Sequence, residues 1–352
     1  MSAAAEPRFG IWAPVYGTWG ARSHPDDPVD AGYRRTRDLL VAAEANGFTS
    51  TLLAEHVVSP SDAQAAVLET FTAAAAVAAV TERLEIIAAV KPLLFHPGVL
   101  AKLALGIDDI SGGRFAINLV SAWFKPEMAA LGIEMPPHDE RYALSAEWLD
   151  IVQRLWAGER LDHRGARFTT EALQLVPGPV AGPPTVYFGG ESEPARALAA
   201  RAADVFFING RALPETIDVI EDLRARPRGD RAPLRFGLSA FVIAREAEAA
   251  AHAEHDTLLA LAAHDDRSRL MAGTDKDVAM MKVNAGVPRV GTNGGTLAGL
   301  VGSYDQVAER IAAFAAAGIE LFMLQFQPLE AEAERFGREV IPRVRALTLA
   351  AA

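Results

Sequence analysis

The stretch RFAINLVSAWFKPE, from Arg114 to Glu127, decides how the fold is read. Phe115 to Val120 is an apolar run of strand length broken by Asn118, and Ser121, Trp123, Lys125 and Glu127 follow directly. A strand buried on both faces reads as a near-continuous apolar run rather than an alternating one. One that ends in polar and aromatic groups delivers those groups to a site.

Outward from this stretch, strand-length apolar runs alternate with segments of helical period. Strands are expected near Arg8 to Ala13, Ser50 to Glu55, Leu84 to Val90, Phe115 to Ser121, Thr185 to Gly189, Val205 to Asn209, Leu234 to Ile243 and Glu320 to Gln325. The clearest helix is Glu140 to Trp156, where Trp148, Ile151, Val152, Leu155 and Trp156 share one face. Eight apolar strands, each followed by a helix, predict an α/β chain whose parallel sheet closes as a (β/α)8 TIM barrel. A doubly wound open sheet is the alternative, but no Gly-x-Gly-x-x-Gly follows the first strand to support it. Residues 1–352 read as a single domain. Within it, 266–303 shows no strong periodicity and grows dense in Gly, which predicts a lid or insertion before the last strand. Lys276, Lys282 and Arg289 on that segment would clamp an anionic substrate, or else lie in solvent.

Composition narrows the function classes. Half of the 352 residues are hydrophobic, enough for a large core, and the net charge of −11 argues against nucleic acid or an anionic membrane as partner. The absence of cysteine excludes disulfides, thiolate nucleophiles and cysteine-bound metals. The opening MSAAAEPRFG has no basic n-region or apolar h-region, so a cytoplasmic location is expected.

A barrel places its site at the C-terminal ends of its strands. Those ends offer Trp12, Pro14, Tyr16 and Trp19; Glu55 and His56; Asn118, Ser121, Trp123 and Glu127; Gly189, Gly190 and Ser192; Asn209; and Gln325 with Gln327. The set is aromatic, amide and hydroxyl, without ligand spacing for a metal. Two places suit a phosphate. In VYFGGESEPAR a strand ends in Gly-Gly and Ser192 is placed to cap the next helix; in HDERY, Asp139 is placed to cap a helix carrying Arg141 and Tyr142 in its first turn. The bland readings are an ordinary strand-to-helix turn and an exposed arginine paired with Glu140.

Five motifs, LLAEH (52–56), DDISGGRFAINLVSAWFKPE (108–127), HDERY (138–142), YFGGESEPAR (187–196) and GSYDQVAERIAAFAAAGIELFMLQF (302–326), carry a likeness across nearly the whole chain. The chain resembles the luciferase-like flavin-dependent monooxygenases, in the branch of the alkanesulfonate, dimethylsulfone and pyrimidine enzymes. The resemblance implies a TIM barrel with an insertion, and FMN bound in reduced form, supplied by a separate reductase and reacting with O2 through a flavin peroxide. It implies cofactor contacts at Glu55, His56, Asn118, Glu127, Arg141, Tyr142, Gly190 and Ser192. It also implies a homodimer or homotetramer and a proton-transfer role for His56, the alternative being that His56 only shapes the flavin pocket; Trp12, Trp123 and Phe124 are expected to wall the substrate pocket, with Arg289 reaching in from the insertion.

The charged residues that face a sulfonate in the alkanesulfonate relatives are replaced here by Ser239, Phe241, Phe326 and Pro328, so a compact neutral organosulfur substrate such as a sulfone is expected, with a sulfonate or sulfinate behind it. Glu191, where those relatives carry Ser, puts a carboxylate near the proposed phosphate. The alternatives are ring opening of a pyrimidine-like heterocycle, a deazaflavin-dependent oxidoreductase, and a non-catalytic flavin-binding subunit.

Overall fold

The structure is a computed structural model that describes residues 6–266, 268–275 and 287–351. Among these the chain forms strands β1 (Arg8–Trp12), β2 (Ser50–Leu53), β3 (Glu85–Val90), β4 (Phe115–Leu119), β5 (Leu161–Arg164), β6 (Thr169–Leu173), β7 (Thr185–Gly189), β8 (Val205–Asn209), β9 (Arg235–Phe241), β10 (Ile243–Arg245), β11 (Val301–Ser303) and β12 (Ile319–Gln325). Eight of them, all parallel, close in the order β1-β12-β9-β8-β7-β4-β3-β2. The seam lies at β1, where Ile11 is in register with Leu324 on one side and Thr51 on the other. The expected TIM barrel is therefore present, and each predicted strand matches a barrel strand to within two residues at either end. β2 and β4 are buried along their whole length, which is why they read as unbroken apolar runs.

Helices α1 (Tyr33–Ala45), α2 (Thr70–Ala78) and α3 (Pro97–Ser111) cover the first strands. α4 (Lys125–Ala130) and α5 (His138–Trp156) follow β4. The apolar face of α5 packs as its spacing predicts: Trp148 and Trp156 are fully buried, and their indole N–H groups donate to the carbonyls of Phe95 and Ala101 at 2.8 and 3.2 Å. At the N-terminal end of the barrel, Arg8 and Tyr187 both donate to Glu85 Oε2, at 3.0 and 2.8 Å, and close the bottom. No helix among the described residues is long and apolar enough to cross a membrane.

Three elements were not foreseen. The antiparallel hairpin β5–β6 lies between α5 and β7, organised by Glu147, which accepts the backbone N–H groups of Arg167 and Phe168. The short α4 follows the β4 loop. The C-terminal helical segment is two helices, Leu329–Glu339 and Ile341–Ala351, parted at Val340.

The expected insertion has a defined base. β10 and β11 pair in parallel across it, Ile243 with Val301. Its first described part includes a short helix, Ser268–Gly273, after which Asp275 N donates to Trp123 O at 3.0 Å; Lys276 and Lys282 lie outside the described residues. Its Gly-rich part is fastened to the barrel mouth. Gly210 N donates to Asn293 O at 2.8 Å, and Gln325 receives Thr292 N at 3.0 Å while returning a bond to Thr292 Oγ1. Gly294 has φ of 88°, and a Cβ there would lie 2.1 Å from the Gly210 carbonyl oxygen. Neither backbone can yield. Gly294→Ala is expected to lower stability by more than about 1 kcal/mol, read as a reduced urea midpoint.

Candidate active site

The C-terminal strand ends and the Gly-rich segment enclose a cavity of about 320 Å³. One side is aromatic. Trp12 and Trp19 meet edge to face at 5.0 Å, Tyr16 packs on Trp19 at 5.2 Å, and His56 lies 5.6 Å from Tyr16 and 5.3 Å from Trp123. Trp12 also donates through Nε1 to Ser239 Oγ at 3.2 Å. Backbone strain helps shape this wall, because Ala122 holds φ of 59°, a left-handed conformation costing roughly 1–2 kcal/mol in a non-glycine residue. Ser121 on one side of that kink meets Ser145 at 2.9 Å, and Trp123 on the other meets His56.

The opposite side is polar, and its charges are compensated within the protein. Arg141 is buried, with Nη1 on the Pro136 carbonyl at 2.9 Å and Nη2 on Asp275 Oδ2 at 2.6 Å. It is therefore not the exposed helix charge of the bland reading; Glu140 pairs with Arg167 instead. Asp139 does not cap α5, whose N-cap is Pro137; it stands exposed in the first turn beside His138. Glu191, also on the cavity wall, is paired with Arg211 and accepts Asn209 N and Nδ2, each at 3.1 Å. Ser192 is the N-cap of α6 (Glu193–Ala202) but makes no side-chain capping bond.

Three buried polar atoms on this cavity, Asn118 Oδ1, Arg141 Nε and Ser192 Oγ, have no hydrogen-bond partner among the described residues. An unpaired buried polar atom costs about 1–3 kcal/mol. Three of them around one cavity mark where a polar ligand completes the structure. Tyr142 Oη lies 3.3 Å from the Cβ position at Gly190, whose φ of 146° favours glycine. Burial raises the Tyr142 pKa against the pull of the Arg141 charge, so its phenol stays a neutral donor. A hydroxyl, a phenol, a guanidinium N–H and an amide fit the FMN that the resemblance implies: the first three suit its phosphate, the amide a polar edge of the flavin.

Two expected site residues are elsewhere. Glu127 is fully enclosed and does not line the cavity, because its carboxylate is taken up behind it: Oε1 accepts Val57 N at 2.6 Å and stands 3.1 Å from His56 Nδ1, and Oε2 accepts from Lys91 Nζ at 2.5 Å. Phe124 is buried behind Trp123, under the Arg269 guanidinium, and also misses the cavity. Pro14, Gln325 and Gln327 are likewise off its wall; Gln327 ties Thr18, Ala21 and Asp27 together. Trp12, Tyr16, Trp19, Glu55, His56, Asn118, Ser121, Trp123, Asn209 and Arg289 do line it.

Lys91 went unforeseen. In AAVKPLL it reads as a solvated lysine after a strand, yet it is 2% exposed and lines the cavity. Its backbone N–H donates to Glu55 Oε2 at 2.8 Å. Burial raises the Glu55 carboxyl to about 8, against the pull of Lys91. Burial, and then the Lys91 charge, lower His56 to about 4 despite its contact with Glu127. Glu127 is held at about 2 by His56 and Lys91 against its burial. Burial thus favours the neutral forms of Glu55 and His56, while Lys91 and His56 favour the carboxylate of Glu127.

Glu55 gives a signed pH dependence. Its folded pKa lies above the ordinary carboxyl value of 4.5, so its contribution to stability is full below 4.5 and is lost as pH rises to about 8, at roughly 1.4 kcal/mol per unit. Glu55→Gln keeps an acceptor for Lys91 N and cannot ionise. The melting temperature of this variant minus that of the wild type is expected to grow between pH 5 and pH 8; a constant difference would contradict the assignment.

A family model for luciferase-like monooxygenases matches residues 8–321. The FMNH2-dependent dimethylsulfone monooxygenase of Pseudomonas fluorescens (strain Pf0-1) is 31% identical over 347 residues, covering 97% of this chain and 95% of that one. Among solved structures, a riboflavin lyase superposes with a TM-score of 0.79 at 20% identity, covering 97% of this chain and 92% of the other. DmoA from Hyphomicrobium sulfonivorans superposes with a TM-score of 0.76 at 20% identity, covering 97% and 87%. These two likenesses concern the fold, while the sequence match along nearly the whole chain identifies the family: the chain belongs to the luciferase-like monooxygenases.

Proposed function

We propose that this protein is a two-component monooxygenase that takes reduced FMN from a separate reductase and oxidises a small neutral organosulfur compound, a sulfone in the first instance. The observation that carries this reading is the trio Asn118 Oδ1, Arg141 Nε and Ser192 Oγ, buried on one cavity without partners among the described residues. The name of the Pseudomonas relative, an enzyme for dimethylsulfone, supports the substrate class.

Reduced FMN, when bound, supplies the electrons with which O2 is split between substrate and water. The chain's own residues do the rest. Arg141, Tyr142, Ser192 and the Gly190 backbone would hold the phosphate, and Asn118 the flavin edge. Trp12, Trp19 and Trp123 keep water from the substrate side. His56, neutral and on the cavity wall, handles protons. Ser239 is bonded to Trp12 and Phe241 is buried off the wall, and the Lys91 and Arg141 charges on the cavity are already paired with Glu127 and Asp275, which favours a neutral substrate over a sulfonate.

Oxygen uptake and product analysis with reduced FMN and a panel of sulfones, sulfinates, sulfonates and pyrimidine-like heterocycles test the reading. Sulfone-dependent product is expected, with sulfonates slower by about tenfold or more. Product from heterocycles alone, from a reduced deazaflavin alone, or from no member of the panel would overturn it. Arg141→Gln is expected to weaken reduced-FMN binding by about tenfold or more and Ser192→Ala by less, measured by flavin titration under anaerobic conditions.

A further inference from the structure

Lys91 has a place at this site that the family likeness does not assign. Its Nζ lies 2.5 Å from Glu127 Oε2 and 3.1 Å from His56 Nδ1. The same Nδ1 lies 3.1 Å from Glu127 Oε1. One ring nitrogen therefore stands between an ammonium, which only donates, and a carboxylate, which only accepts. A neutral imidazole carries a single proton, so Nδ1 answers one of the two at a time. With Lys91 charged, Nζ donates to Nδ1 and the ring proton sits on Nε2. With Lys91 uncharged, Nδ1 keeps the proton, donates it to Glu127 Oε1, and leaves Nε2 as an acceptor. Nε2 makes no hydrogen bond among the described residues, and His56 lines the cavity. The charge on Lys91 thus sets whether His56 offers the cavity a donor or an acceptor.

We propose that Lys91 is the proton reservoir behind His56, recharging the ring through Nδ1 as the ring gives up a proton from Nε2. In the exchange the Nε2–H bond breaks and its proton passes to an acceptor in the cavity. The Nδ1 lone pair takes a proton from the Lys91 ammonium, and Nζ retains the electron pair of the broken N–H bond. Glu127 stays ionised throughout, accepting at Oε2 from Nζ and, after the exchange, at Oε1 from Nδ1. A proton from solvent later returns to Nε2 while Nδ1 passes its proton back to Nζ, which restores both the ammonium and the starting tautomer with no change of oxidation state. Lys91 acts through His56 and is a positioning residue. The inference rests on the monooxygenase reading only for what receives the proton.

The surroundings suit an exchange rather than storage of a second proton on the ring. The groups facing His56 are Lys91, Glu127 and the rings of Tyr16, Trp123 and Phe124, with Glu55 one step away on the Lys91 backbone. Tyr16 is held far above its ordinary value by burial and by Glu127 and Glu55, so it does not compete as an acid. Burial lowers Lys91 from 10.5, against Glu127 and Glu55, which makes its proton easier to give than that of a solvated lysine.

The test is nitrogen-15 NMR of the His56 ring in the flavin-free protein. The wild type is expected to carry its proton on Nε2 at pH 7 and to switch to Nδ1 as Lys91 discharges below pH 10.5. Lys91→Met should hold Nδ1–H at pH 7, and Lys91→Arg should hold Nε2–H up to pH 10.5. In turnover, Lys91→Met should lower kcat by about tenfold or more while the affinity for reduced FMN stays within about threefold. Nδ1–H in the wild type at pH 7, or Nε2–H retained in Lys91→Met, overturns the proposal. If Lys91→Met does not fold, the wild-type titration decides alone, and absence of the switch refutes it. Because the ring spectra need neither flavin nor substrate, failure of the substrate panel and failure of this relay are distinguishable.

Discussion

A carboxylate sealed from water must be met by donors from within the chain, and at Glu127 this requirement organises the site. Its two oxygens draw in Val57 N and His56 from just beyond β2 and Lys91 from just beyond β3, while Glu127 itself sits in α4 beyond β4. Three neighbouring strand ends are thereby fixed to one another at the mouth of the barrel. Removing one partner of such a buried pair typically costs about 3–5 kcal/mol, because the charge left behind has no solvent to turn to. The same demand keeps Glu127 off the cavity wall. Its donors are already committed, so its influence on a ligand passes through His56 and Lys91.

The pattern repeats around the cavity. Arg141 is met by Asp275, and Glu191 by Arg211. These buried charges have their counter-charges inside the protein, and Asn118 Oδ1, Arg141 Nε and Ser192 Oγ are left without a partner among the described residues. A site built this way holds an anionic cofactor by directed hydrogen bonds more than by net charge, in keeping with a chain whose overall charge is −11.

The barrel was legible because its strands are buried on both faces and alternate with amphipathic helices, a signal that needs no partner to interpret. Thr185–Gly189 and Val205–Asn209 were placed to the residue. The β5–β6 hairpin escaped because its residues are mostly exposed or half-buried, and its order comes from Glu147, a helical glutamate whose role shows only when the loop is folded onto it. Lys91 escaped for a related reason: nothing in AAVKPLL distinguishes a lysine that bends inward to a carboxylate from one that reaches solvent. Glu127 was placed at the cavity by its position after the fourth strand and by the family resemblance, and Phe124 as an aromatic beside Trp123. The positive φ at Ala122 and the turn into α4 send the chain past the cavity and behind its wall.

By itself, then, the sequence determined the barrel, the end of it that carries the site, and the amide, hydroxyl and arginine set of Asn118, Tyr142, Ser192 and Arg141, because periodicity and strand-end position are local properties of a chain. Tertiary structure decided which of the charged residues face a ligand and which face each other. Burial and pairing depend on groups brought together from distant positions: Lys91 meets a residue 36 positions away in Glu127, and Arg141 one 134 away in Asp275. No local pattern records those distances, and the protonation states of His56, Glu55 and Glu127 follow from them.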